Sequence, residues 1–147
     1  MKATEIKIVY KAKVKAKDRI RLSSSQSVHE FLKKVFDKDT IGHIESSYLL
    51  MLNRQNEVLG YTKLSEGGLS SCIIDSKVVF QYAIKSNSSA IILAHNHPSG
   101  QMKASPADKN ITNKIKTVGI ALDLPIIDHI IMSPDNDYYS FSDEGLL

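Results

Sequence analysis

A short, continuous apolar run constrains this chain more than any other feature. Ala90-Ile91-Ile92-Leu93-Ala94 stands between the polar stretches Asn87-Ser88-Ser89 and His95-Asn96-His97. A run of this length between polar breaks fits a central strand buried on both faces, because strict alternation belongs to strands with one face in water. Helical spacing appears before and after it. Ser76 to Lys85 predicts a helix with Val78, Val79, Tyr82 and Ala83 inward, and a second should start at Ser105, carry Ile111, Ile115 and Val118, and stop at Gly119. A third, Val28 to Phe36, has the stripe Val28, Phe31, Leu32, Val35 and Phe36, with Ser27 as its cap and Glu30 completing a capping box. Tyr48 to Leu52 and Val58 to Leu64 read as a hairpin around Asn53–Glu57, closed off by Gly67-Gly68, and Ile126 to Met132 as a further strand. Strands alternating with helices, plus a hairpin, make an α/β domain on a mixed sheet. With 147 residues, 42% of them hydrophobic, residues 1–147 suit one compact domain with a real core.

The first 22 residues differ from the rest. They hold eight Lys or Arg against Glu5 and Asp18, a net +6 in a chain whose total is +3. Ile6, Ile8, Tyr10, Ala12, Val14 and Ala16 alternate with Lys7, Lys11, Lys13, Lys15 and Lys17, which predicts a long, half-buried basic strand. Lys13, Lys15 and Lys17 are the candidates for contact with nucleic-acid phosphates, although a lysine stripe also serves as a solvated face or a block to edge pairing. No apolar run approaches the roughly 18 residues of a membrane span, and charge interrupts the apolar clusters of the opening segment as it would not in a secretory signal. Cys72 is the sole cysteine, which excludes an intramolecular disulfide and a cysteine metal cage and leaves it as a small packed side chain. A soluble, cytoplasmic domain without membrane contact is the expectation.

Chemistry concentrates in His95-Asn96-His97-Pro98-Ser99-Gly100-Gln101-Met102-Lys103-Ala104-Ser105-Pro106-Ala107-Asp108. Side chains at i and i+2 of a strand project to the same side, so His95 and His97 can converge on one metal. Pro98 ends the strand and Gly100 lets the chain turn. Ser105 at the N-cap, Pro106 at N1 and Asp108 at N3 would point a carboxylate out of the first helical turn beside the strand end. Taken alone, His-x-His is a common accident and Ser-Pro-x-Asp an ordinary helix start. Together they supply two imidazoles and a carboxylate, with a fourth position left for water, the arrangement of a catalytic rather than a structural zinc.

His-x-His-Pro, seven residues, then Ser-x-x-Asp resembles the JAMM (MPN+) metalloprotease motif. The string His95 to Gly100 with Ser105-Pro106-Ala107-Asp108 resembles the RadC-like branch of that superfamily. Leu52 to Val58, Ser88 to Leu93, Asp128-His129-Ile130-Ile131 and Tyr139-Ser140-Phe141 extend the likeness over residues 28–145. The resemblance implies a cytidine-deaminase-like, three-layer α/β/α architecture around the mixed sheet. It also implies one Zn2+ per chain, held by His95, His97 and Asp108. Ser105 matches the serine that stabilises the developing oxyanion. Glu45 occupies the place of the upstream glutamate that acts as general base and acid, with Glu57, in the hairpin turn, as its competitor. RadC-like proteins commonly carry an N-terminal helix-hairpin-helix region, in whose place residues 1–22 and the first helix are expected to supply a lysine-striped strand and one helix.

The implied activity is hydrolysis of a peptide or isopeptide bond in a protein or peptide substrate. The alternative is a DNA-associated, DNA-repair module with a non-catalytic site, motivated by the basic opening and the RadC name. Fe(II) in a two-His-one-carboxylate site is a third reading, which leaves Glu45 and Ser105 without a task. His129 is a candidate for orienting a ligand from behind. His29 and His43 carry no assigned role.

Overall fold

The computed structural model of the chain describes residues 2–67 and 73–147. Gly68 and Cys72 lie outside the described residues. In chain order the elements are α1 (Ser25–Leu32), β1 (Ser46–Leu52), β2 (Val58–Glu66), α2 (Ser76–Lys85), β3 (Ala90–Asn96), α3 (Pro106–Ala121), β4 (Ile126–Met132) and β5 (Tyr138–Ser140). The strands form one five-stranded sheet in the order β2-β1-β3-β4-β5. Only β3 and β4 run parallel, and α3 makes the crossover between them; the other pairings are antiparallel.

Every residue of β1 and of β3 is buried, as a strand covered on both faces requires. Because successive side chains alternate, each central strand feeds two cores. Leu50, Leu52, Ile92, Ala94 and Ile130 pack with Val28 and Leu32 of α1. Leu49, Met51, Ile91 and Leu93 pack with Val79, Phe80 and Ala83 of α2 and Ile115 of α3. The result is a mixed α/β/α sandwich. Each fully buried Leu or Ile contributes about 1.5–3 kcal/mol of burial.

Residues 6–16 form no strand, contrary to their alternation. A single 3-10 turn spans Ala16–Asp18, and the described sheet pairing of this segment is an isolated antiparallel bridge between Arg21 and Glu57. Ile6 is 87% and Ile8 73% exposed. Alternation supplies an apolar face, but a strand also needs a neighbour for its backbone, and residues 6–16 pair with no described strand, reaching β2 by the Tyr10 hydroxyl, which donates to the Leu59 carbonyl at 3.5 Å.

Three helix boundaries shift: α1 ends at Leu32 rather than Phe36, and the other two shifts have identifiable reasons. Ser24, not Ser27, caps α1, and Ser27 at N3 completes the capping box in place of Glu30. In a run of serines the hydroxyl of Ser27 accepts from the Ser23 and Ser24 amides and donates to the Ser24 carbonyl, so Glu30 is released to pair with Lys33 at 2.7 Å. Helix α3 runs past Gly119 to Ala121. A Cβ at Gly119 would lie 2.4 Å from the Leu124 carbonyl oxygen. This glycine admits the returning backbone rather than ending the helix. The three-residue β5 lies beyond the last strand the pattern predicts. It is held by pairing with β4 and by the Ser140 hydroxyl, which donates to Asp128 at 2.7 Å.

Candidate metal centre

The site forms where β3 ends and α3 begins. β3 extends through Asn96, so His95 still lies within the ladder, opposite Ser47 of β1 and Ile131 of β4. It shares the α2/α3 face with Leu93. The His97 amide donates to the Met132 carbonyl at 3.0 Å, which carries the chain one residue beyond the strand before it turns. Gly100, at φ +76°, makes that turn and closes it with a 2.9 Å bond to the His97 carbonyl.

Asp108 is aimed by a reciprocal capping box. Its amide donates to the Ser105 hydroxyl at 3.1 Å, and its Oδ2 accepts the Ser105 amide at 2.8 Å. The carboxylate then reaches both imidazoles: His95 Nε2 lies 3.2 Å from Oδ1 and His97 Nε2 3.4 Å from Oδ2. The two Nε2 atoms are 3.0 Å apart. His95, His97 and Asp108 are therefore a group that could hold a metal ion. Donors each about 2.0–2.2 Å from a common zinc at tetrahedral angles would lie about 3.3–3.6 Å from one another, close to the spacing found.

Hydrogen bonding on the far side of each ring explains why such a cluster needs a cation. His97 Nδ1 sits 2.8 Å from the Gln101 carbonyl, which can only accept. Nδ1 therefore carries a proton, and Nε2 of the neutral ring turns a lone pair inward. His95 Nδ1 is engaged by His129 Nε2 at 2.8 Å, so again Nε2 is the atom that faces Asp108. Two ring nitrogens and a carboxylate facing one another at these distances are stable only around a proton or a metal.

The electrostatics describe the same cluster with a proton between the donors in place of a metal. Burial alone would raise the Asp108 carboxyl, but its hydrogen bonds with His95 and His97 outweigh that and hold it far below the usual carboxylate range. His97 is raised by its bond to Asp108, against burial, with support from the Gln101 carbonyl and the negative charges of Asp108 and Glu45. His129 is pushed well down by complete burial and by the neighbouring His95, and stays neutral. Asp128 is raised by burial, opposed by bonds from Ser140 and from the Ser142 and His129 amides.

Glu45 immediately precedes β1, at the end of the sheet where His95 lies, and is half-buried. Glu57 belongs to the opposite end, past Leu52, which pairs with Ala90. Its carboxylate takes the Asn53 side-chain amide at 2.7 Å, bracing the hairpin turn. At roughly 3.4 Å per residue, the seven residues of β1 put the two glutamates more than about 20 Å apart. Ser105 lies beside the cluster as the α3 cap. Lys13, Lys15 and Lys17 are exposed, and no strand lines them up on one face.

Three residues of the neighbourhood escaped the sequence reading. Asn96, between the two histidines and therefore on the opposite face, is fully buried. Its side chain donates to the Ile41 and Ile44 carbonyls and accepts the Ser46 amide, tying down the loop that carries Glu45. Thr112 lies one helical turn after Asp108, and Phe141 stacks on His129 at 4.7 Å. Periodicity marks neither Asn96 nor Thr112, but a polar side chain flanked by core positions was a usable signal for both.

A family model described as the RadC-like JAB domain matches residues 22–146, the whole described α/β/α unit. The chain belongs to the RadC-like JAB domain family. Among its relatives, the UPF0758 protein of Flavobacterium johnsoniae is 45% identical over 102 residues, which cover 69% of this chain and 44% of that protein. The UPF0758 protein of Chlorobaculum tepidum is 33% identical over 128 residues, 87% of this chain and 56% of its own length. That of Symbiobacterium thermophilum is 34% identical over 131 residues, 88% and 53% respectively. The chain thus spans about half the length of these RadC-family relatives. The basic residues up to and including Arg21 lie outside the family match. No helix among the described residues is long and apolar enough to cross a membrane.

Proposed function

We propose that the protein is a zinc-dependent hydrolase of the JAMM type, acting on a peptide or isopeptide bond. The observation that carries this reading is the inward convergence of His95 Nε2, His97 Nε2 and the Asp108 carboxylate. His95, His97 and Asp108 would hold one zinc. Bound there, zinc would supply Lewis acidity and lower the pKa of water towards neutrality. Glu45, at the same end of the sheet, would accept the proton of the attacking water and return it to the leaving amine. The Ser105 hydroxyl accepts from the Asp108 amide, a bond that does not use its own proton, which can be donated to the developing oxyanion. Asn96 would keep Glu45 in range by holding the 41–46 loop.

The test is hydrolysis of peptide and isopeptide substrates by the zinc-loaded protein, with Glu45→Gln beside it. Turnover by the parent, with Glu45→Gln retaining its metal but losing at least about a hundredfold in rate, supports the roles given. Equal rates for the two would remove Glu45 from the mechanism, and no turnover by the parent on any peptide bond would remove the hydrolase reading.

The highly basic segment of residues 1–22, exposed over residues 2–18, favours a second reading, a DNA-associated module. Salt-dependent DNA binding, weakened by neutralising Lys13, Lys15 and Lys17, would support it; no binding at low salt would dispose of it.

A further inference from the structure

Thr112 is a buried threonine in the middle of α3, where a β-branched hydroxyl residue is not the favoured choice. Its single hydroxyl proton is donated to the Asp108 carbonyl at 2.7 Å. Its oxygen also lies 2.6 Å from His129 Nδ1, and with its own proton already committed it can only accept there. His129 Nδ1 must then carry a proton.

His129 is fully buried and stacked on Phe141, and its two ring nitrogens bond Thr112 and His95 rather than a carboxylate, so it is neutral with Nε2 bare. The 2.8 Å bond between His129 Nε2 and His95 Nδ1 therefore has one direction: His95 donates. That leaves the His95 Nε2 lone pair facing Asp108 and His97. The chain of bonds runs in one sense, from His95 to His129 to Thr112 to the Asp108 backbone. It begins and ends on two residues of the same cluster, joining β3, β4 and α3.

We propose that His129 and Thr112 are positioning residues that fix His95 in its Nδ1–H tautomer and so keep its Nε2 free for a metal ion. The proposal rests on the metal-site reading above for its purpose, while the proton order stands on the hydrogen bonds alone. Loss of the threonine hydroxyl would strand the His129 Nδ1 proton, let that ring reverse its tautomer, and push a proton onto His95 Nε2.

Two measurements on the full chain separate the two ideas. Nitrogen NMR of the metal-free protein reads the His95 ring protons directly: a protonated Nδ1 is expected, and a bare Nδ1 in the parent overturns the proposal. Zinc affinity by chelator competition is then compared across Thr112→Val, Thr112→Ser and His129→Phe. Thr112→Val, close in shape, should lose about tenfold to a hundredfold in affinity and show mixed His95 tautomers, and Thr112→Ser should restore both. His129→Phe should weaken zinc at least as much. Parent-like affinity and tautomer in Thr112→Val overturn the proposal. Should Thr112→Val fail to fold, the parent tautomer and the Thr112→Ser and His129→Phe affinities still decide. A parent that binds no zinc yet shows the expected tautomer would defeat the metal reading and leave the proton order intact.

Discussion

Residues 6–16 and residues 90–108 both carry strong local patterns, and they end differently. The opening segment alternates over eleven positions yet lies exposed without a strand, whereas the shorter 90–96 segment becomes the fully buried centre of the sheet. The difference lies in partners. β3 has β1 on one side, β4 on the other, and helices over both faces, so its backbone groups and side chains are all satisfied. The opening segment has no strand partner among the described residues; it meets β2 through the Arg21–Glu57 bridge, the Val58 amide donating to the Ile20 carbonyl and the Tyr10 hydroxyl donating to the Leu59 carbonyl, and residues 1–22 carry a net +6. Pattern proposes an element, and tertiary context decides whether it forms.

That comparison can be broken most strongly in the core. Leu93→Ala should lower stability by about 2–5 kcal/mol in denaturant unfolding, because the α2/α3 core cannot collapse around the cavity. A loss below about 1 kcal/mol would mean β3 is not the centre described. Gly119→Ala should cost about 1–3 kcal/mol, since its new methyl group would meet the rigid Leu124 backbone rather than a movable side chain.

A smaller effect of opposite sign is expected at His29. This ring is buried and stacks on Tyr138 at 4.5 Å, but its Nε2 finds no hydrogen-bond partner among the described residues. Burial, with Lys33 nearby, pushes its pKa below the ordinary 6.5. A base with a depressed folded pKa contributes stability above its unfolded pKa and loses it as pH falls towards the folded one. His29→Phe should therefore raise stability at neutral pH by about 1 kcal/mol and flatten the stability loss below about pH 6.5. An unchanged acid limb would contradict the assignment. The smallest effect belongs to the opening segment: removing residues 2–15 should move stability by less than about 0.5 kcal/mol, and a larger loss would show that this segment has a structural partner after all.

Much of the fold was legible because its signals were redundant. α2 spans the expected Ser76–Lys85 with Val79 and Ala83 buried, although Phe80 takes the inward place given to Tyr82, which is 43% exposed, and β4 coincides with its run. Where several residues could do one job, as in the Ser23–Ser27 run, sequence could not choose the cap. Where the reason is contact with distant backbone, as at Gly119, the residue type was visible but its purpose was not. The same division holds at the site. His95, His97 and Asp108 lie on adjacent elements at fixed spacing, and they meet. The supports at Asn96, Thr112 and the Gln101 carbonyl depend on partners 55, 17 and 4 residues away, and carry no motif of their own. Glu45 was reachable only as a position at the start of a strand, and its neighbourhood is set by Asn96 from β3.

The metal content of the protein purified without added metal tests the central claim most directly. Elemental analysis should find about one zinc per chain in the parent and none retained by His97→Ala, with both proteins folded by circular dichroism. A folded parent devoid of metal even after incubation with zinc, or a His97→Ala variant that keeps its full complement, would contradict the account.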